Sequence, residues 1–151
     1  MSVMQKLMKA SKIKESAVLS ESKVYAASAL VDTGVPMINV ALSGDVDGGL
    51  SPGLTVLAGQ SKHFKTSFAL LMAEAYMREK KDAVMLFYDS EFGSPQAYFD
   101  TFGIDTDRVL HVPVMNVEEL KFDVVAQLEA LDKKDDVIIV IDSIGNLASK
   151  K

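Results

Sequence analysis

The chain has 151 residues, 48% of them hydrophobic and 25% charged, with a formal net charge of −5, the composition of an ordinary soluble globular domain with one core. It has no cysteine, which excludes disulfides and thiolate–metal sites and fits a reducing cytoplasm, and no run approaches the roughly 18 apolar residues of a membrane helix. The acidic balance and the lack of a broad basic stretch mean that any nucleic-acid contact would have to come from a local patch.

The start, "MSVMQKLMKASK", carries lysines but no continuous apolar stretch, so it is not a signal peptide. Val3, Met4, Leu7 and Met8 fall at helical spacing, so residues 3–10 form either a short amphipathic helix or a frayed terminal segment. Residues 1–34 read as this helix and a linker, with a short ordered piece around "KVYAASAL". A compact part, residues 35–151, follows. Pro36 sits at a first helical position in "PMINVAL", and "SGDVDGG" and "SPG" supply turns.

From there apolar runs alternate with amphipathic ones. "LTVLAG" reads as a strand, and "KTSFALLMAEAYMREKK" as a helix with Phe68, Leu71, Met72 and Ala75 at helical spacing. "AVMLFYD" reads as a second strand, "PQAYFDTFG" as a short helix stopped by Gly103, and "RVLHVPV" as a third strand. "NVEELKFDVVAQLEAL" is a helix with Val117, Leu120, Val124, Leu128 and Leu131 on one face. Asn116 is its cap, and Glu119 three residues on completes a variant of the capping box. "DVIIVID" is a fourth strand, nearly all β-branched. Strands apolar on both faces and separated by amphipathic helices imply an α/β fold whose mostly parallel sheet is covered on both sides.

The chemistry gathers around "GQSKHFKTS". A phosphate-binding loop has a Gly, four variable residues and then Gly-Lys-Ser/Thr. Here Gly59 is followed by Gln60, Ser61, Lys62 and His63, then by Phe64 where the second Gly belongs, then by Lys65, Thr66 and Ser67. Taken alone, the run is equally a polar loop whose Lys and Thr are there by composition. Its place between an expected strand and helix favours the phosphate reading, because backbone N–H groups and the helix N-terminus there point at an anion. Lys65 would meet the β- and γ-phosphates, and the Thr66 hydroxyl would ligate magnesium. Phe64 leaves two alternatives. If its φ is positive the residue is strained; if its backbone is helical the ring can pack under the loop.

Three carboxylates strengthen this reading. "VIIVIDS" ends an apolar strand in Asp142, placed to hold the metal, and "LFYDSEFG" delivers Asp89 and Glu91 to the same sheet edge. In a parallel sheet Lys65, Glu91 and Asp142 then converge on one crevice, which makes nucleotide hydrolysis the leading reading.

Together the runs "GGLSPGLTVLAGQSKHFKTSFAL", "AVMLFYDSEFGSPQAYFDTFGID" and "VIIVIDSIGNLASKK" resemble the RecA family of recombinases, and within it the UvsX recombinases of tailed phages, which share the Phe in the loop. The resemblance is strong from Val35 to Lys151 and looser before that. It implies a P-loop NTPase core of RecA type and an ATP- and magnesium-dependent strand-exchange recombinase that acts in recombination and repair. It further implies a helical filament on single-stranded DNA, mediator and single-strand-binding proteins as partners, no membrane, and the cytoplasm of a bacterial host. Residues Gly59 to Ser67 would bind nucleotide, with Lys65 and Thr66 on phosphate and metal. Glu91 would activate the attacking water as a general base, Asp142 would be the metal-side carboxylate, and Ser143 would couple nucleotide state to the DNA site. Tyr98 matches the family's adenine-stacking tyrosine, and Val24 and Tyr25 would anchor a segment that docks on the neighbouring subunit.

In that family the DNA-binding loops, and a strand lying between the phosphate-loop strand and the strand ending in the metal-side Asp, come after this Asp. The expectation is therefore an N-terminal part of a recombinase, truncated after the Walker B strand, inactive alone and without tight DNA binding. The competing readings are a non-catalytic nucleotide-binding module or truncated filament cap, and a P-loop kinase. Glu91 favours hydrolysis over the kinase, in which a water-activating carboxylate would be wasteful.

Overall fold

A computed structural model describes residues 2–22 and 30–150. The expected subunit anchors Val24 and Tyr25, with the "KVYAAS" piece, lie outside the described residues.

The first helix, α1 (Val3–Ala10), is capped by Ser2, whose hydroxyl accepts from the Gln5 N–H while the Gln5 side chain returns to the Ser2 N–H. That reciprocal capping box starts the helix without tertiary help, and none of the α1 residues is buried. Helix α2 (Pro36–Ser43) begins on Pro36 and ends at Gly44, whose φ of 77° is the left-handed turn a glycine enters without strain. Buried Asn39 organises this segment: it accepts from the Thr33 N–H at 3.1 Å and donates to Asp32 at 2.7 Å and to the Val46 carbonyl at 2.9 Å.

The central part is a three-stranded parallel sheet. Its strands are β1 (Val84–Asp89), β2 (Val109–Pro113) and β3 (Val137–Asp142), in the order β2-β1-β3. Helix α3 (Lys65–Glu79) precedes β1, α4 (Gln96–Thr101) connects β1 to β2, and α5 (Val117–Ala130) connects β2 to β3. The twofold alternation of β1 divides the core. Met85 and Phe87 pack with Leu70, Ala73 and Met77 of α3 and with Phe99 of α4, whereas Leu86 and Tyr88 pack with Leu120 of α5. A parallel sheet needs this double cover, because both of its faces are apolar.

Two expectations are corrected. "LTVLAG" takes up neither strand nor helix, and Leu54 and Val56 are 90% and 73% exposed. A strand exists only by pairing, and among the described residues no ladder reaches this run; the outer edge of β3 is likewise unpaired. Along α5 only Leu120 is fully buried, while Val117 and Leu128 stay exposed, so the expected apolar face covers the sheet over its middle alone. The α5 cap is as expected in part. The Asn116 side chain accepts from the Glu119 N–H at 2.9 Å, but the Glu119 carboxylate returns to the Met115 N–H, one residue early.

Phe87 is fully buried and meets Phe99 edge-on at 5.0 Å between ring centres. Replacing it by Ala should cost about 3–5 kcal/mol in urea unfolding, while Phe122→Ala, at an exposed position, should stay within about 0.5 kcal/mol. Equal losses for the two would contradict this core.

Candidate functional site

The loop from Gly59 to Phe64 leads into α3, whose first residue is Lys65. Lys62 and Phe64 both have positive φ, at 64° and 58°. The position where a phosphate loop usually carries glycine therefore demands the left-handed conformation, and Phe64 adopts it. The cost for a residue with a Cβ is roughly 1–2 kcal/mol. Its ring is 73% exposed and so is not packed beneath the loop. Within the loop the His63 ring is within 2.9 Å of the Ser61 carbonyl, and the Lys65 ammonium donates to the Gln60 carbonyl at 2.8 Å. The lysine thus lies folded over the loop, at its mouth.

The start of α3 is joined to the sheet by a hydrogen bond spanning 76 residues of sequence, from the Thr66 hydroxyl to the Asp142 carboxylate at 2.7 Å. Asp142 ends β3 opposite Asp89, which ends β1. Because residues 85, 87 and 89 alternate in step with 138, 140 and 142, both carboxylates fall on the sheet face that α3 covers. Burial holds the Asp142 carboxyl above its ordinary range and the charges of Glu91 and Asp89 push it the same way, against the Thr66 hydroxyl and the Lys65 charge. This edge is crowded with negative charge.

Beyond the strand ends a second set of contacts binds the two loops together. The Ser90 hydroxyl donates to the Ser143 carbonyl at 2.7 Å and accepts from the Ser143 N–H at 3.0 Å. The Ser143 hydroxyl donates to the Glu91 carboxylate at 2.9 Å. Lys65, Thr66, Glu91, Asp142 and Ser143 are thereby brought to one edge, as expected from the sequence. Tyr98, on α4, joins them through a hydrogen bond between its hydroxyl and that of Ser67, with its ring edge-on to Phe102 at 5.4 Å. Gly59 to His63 remain exposed.

Sequence reasoning missed Ser90 as a clasp between the loops. It also missed His111, whose Nε2 lies 3.2 Å from the Asp89 carboxylate. A histidine within an apolar strand was the available signal, but its partner depends on the register between β1 and β2. A groove of about 760 Å³, lined by Val112, Phe122 and Lys150 among others, contains none of the residues of this edge. Among the described residues no three His, Cys, Asp or Glu side chains form a metal-binding group, and no helix is long and apolar enough to cross a membrane.

Phe64→Gly removes the left-handed strain but loosens the unfolded chain by a comparable amount, so its stability should stay within about 1 kcal/mol of the parent. Phe64→Val places a β-branched residue at positive φ and should lose about 1 kcal/mol or more. Thermal unfolding of both variants checks this, and a glycine variant much less stable than the valine one would contradict the backbone argument.

No protein-family model matches the chain. It is 50% identical over 146 residues to a recombination and repair protein of Enterobacteria phage T4. That similarity takes in 97% of this chain but spans only 37% of the phage protein's length.

Proposed function

We propose that this chain carries the ATP-binding and hydrolysis motifs of an ATP-dependent DNA strand-exchange recombinase of the RecA type, closest to the UvsX recombinases. The observation that carries the reading is the Thr66–Asp142 hydrogen bond, which sets a Lys-Thr loop against a carboxylate at the C-terminal edge of a parallel sheet. That edge is where open α/β sheets bind ligands. The similarity to a phage recombination and repair protein supports the biological role.

In this reading Lys65 leaves the Gln60 carbonyl for the β- and γ-phosphates, and the first N–H groups of α3 receive phosphate oxygens. The Thr66 hydroxyl and the Asp142 carboxylate are two hard oxygen donors in an excess of negative charge. Such a partial set fits magnesium, which takes its remaining ligands from phosphate and water. When bound, the ion would neutralise charge on the transferring phosphoryl group. Glu91, held by the Ser143 hydroxyl, accepts a proton from the attacking water. Ser143, bonded to both Glu91 and Ser90, is placed to report the nucleotide's state to a DNA site elsewhere in the protein. Tyr98 lies beside the loop to stack on the base.

The RecA-like core is supported by the three-stranded parallel sheet with helices packed on both of its faces. Single-stranded DNA, a filament of like subunits, and mediator and single-strand-binding proteins are the partners this function requires, in the cytoplasm of a bacterial host.

In the full-length protein with single-stranded DNA present, Lys65→Ala should lose both ATP binding and hydrolysis. Glu91→Gln keeps the acceptor for Ser143 but not the base, so it should bind ATP normally and turn over about 100-fold more slowly or worse. Steady-state hydrolysis and equilibrium ATP binding separate the two effects. Normal turnover by Lys65→Ala would make the loop merely structural.

A further inference from the structure

Asp89 is the most deeply buried charged side chain at this edge, 2% exposed, yet none of the steps above uses it. One of its oxygens, Oδ1, accepts from the Glu91 N–H at 2.9 Å and from the Phe92 N–H at 2.7 Å. The Asp89 side chain therefore fixes the backbone that carries Glu91. An aspartate's terminal torsion is broad and roughly twofold, so bonds to a single oxygen leave the carboxylate free to rock. The other oxygen, Oδ2, meets His111 Nε2 at 3.2 Å. Because a carboxylate oxygen accepts, Nε2 donates. The His111 side chain is 54% exposed at the sheet edge; its ring lies 6.0 Å from the Phe87 ring at 26°, and Phe87 meets Phe99 edge-on. His111 and Phe87 are register partners on adjacent strands, which places the ring one alternation below Asp89 on the same sheet face.

We infer that His111 is a positioning residue for Glu91. It acts through Asp89, as one end of a line running from β2 through the Asp89 carboxylate to the Glu91 backbone. Ser143 holds the Glu91 carboxylate from the other side, so the general base is fixed at both ends. The inference rests on the assignment of Glu91 as the group that activates water. Removing the His111 donor leaves Oδ2 of a buried carboxylate without this bond, and the turn at Glu91 and Phe92 loosens. Water activation then suffers, because a misplacement of about 1 Å costs up to 100-fold in rate. ATP binding, which depends on the loop and on α3, does not.

The test compares His111→Phe with His111→Gln in the full-length protein. Phenylalanine keeps the ring on Phe87 and removes the donor; glutamine restores an N–H near the same place. His111→Phe should lower kcat for ATP hydrolysis about 10- to 100-fold with KM near the parent value, in a protein still folded at the assay temperature. Exchange of the Glu91 and Phe92 amide hydrogens should speed up. His111→Gln should recover most of the rate and the protection. The inference is overturned if His111→Phe turns over normally, if ATP binding falls along with turnover, or if glutamine rescues nothing. Glu91→Gln is run alongside. Full turnover in that variant would remove the base and this inference together, whereas loss of turnover in it beside normal turnover in His111→Phe removes the inference alone.

Discussion

Everything at the candidate site depends on the parallel register of β1 and β3. Pairing Val84 with Val137 carries Asp89 to a place opposite Asp142 five residues later. A slip of one residue would turn every side chain of one strand to the other face. The register is secured by burial on both faces, with Phe87 and Met85 against α3 and α4, and Leu86 and Tyr88 against α5. Because a wrong register would expose one of these sets, the packing that stabilises the sheet also aligns its carboxylates. The site's geometry is thus a consequence of core packing.

That alignment has an electrostatic cost. Asp89, Glu91 and Asp142 gather at one edge, and burial with mutual repulsion pushes the Asp142 carboxyl upward. The crowding is offset by hydrogen-bond donors and, at Asp142, also by the Lys65 charge. Thr66 serves Asp142, Ser143 serves Glu91, and two backbone N–H groups with His111 serve Asp89. Each carboxylate thus has at least one donor that orients it, which a solvated acidic patch would lack. Lys65 is nearby and donates to the Gln60 carbonyl at 2.8 Å.

The readable part of the fold was the part set by local pattern. The three paired strands are bounded apolar runs, and α3 and α5 carry helical spacing with identifiable starts. The start of α1 was equally local: Ser2 and Gln5 form a capping box that decides between a helix and a frayed end. "LTVLAG" has the same apolar signature as the real strands, but pairing depends on a neighbour that a linear pattern does not reveal. The site divides in the same way. That Lys65, Thr66, Glu91 and Asp142 share one edge is legible because they sit at a helix start and at strand ends, which show in one dimension. The contact of His111 with Asp89 depends on a register between strands that no linear pattern reveals, and the φ of 58° at Phe64 is likewise a property of the folded loop.

A crystal structure of the protein with magnesium and a non-hydrolysable ATP analogue asks whether the Lys65–Thr66 loop and the Asp142 edge together receive a nucleoside triphosphate. The phosphates should lie over residues 59–66, with the Lys65 ammonium moved from the Gln60 carbonyl to a phosphate oxygen and with Thr66 and Asp142 as the residues that would hold the metal. An analogue bound elsewhere, with Lys65 still on Gln60 and Thr66 still on Asp142, would contradict this arrangement.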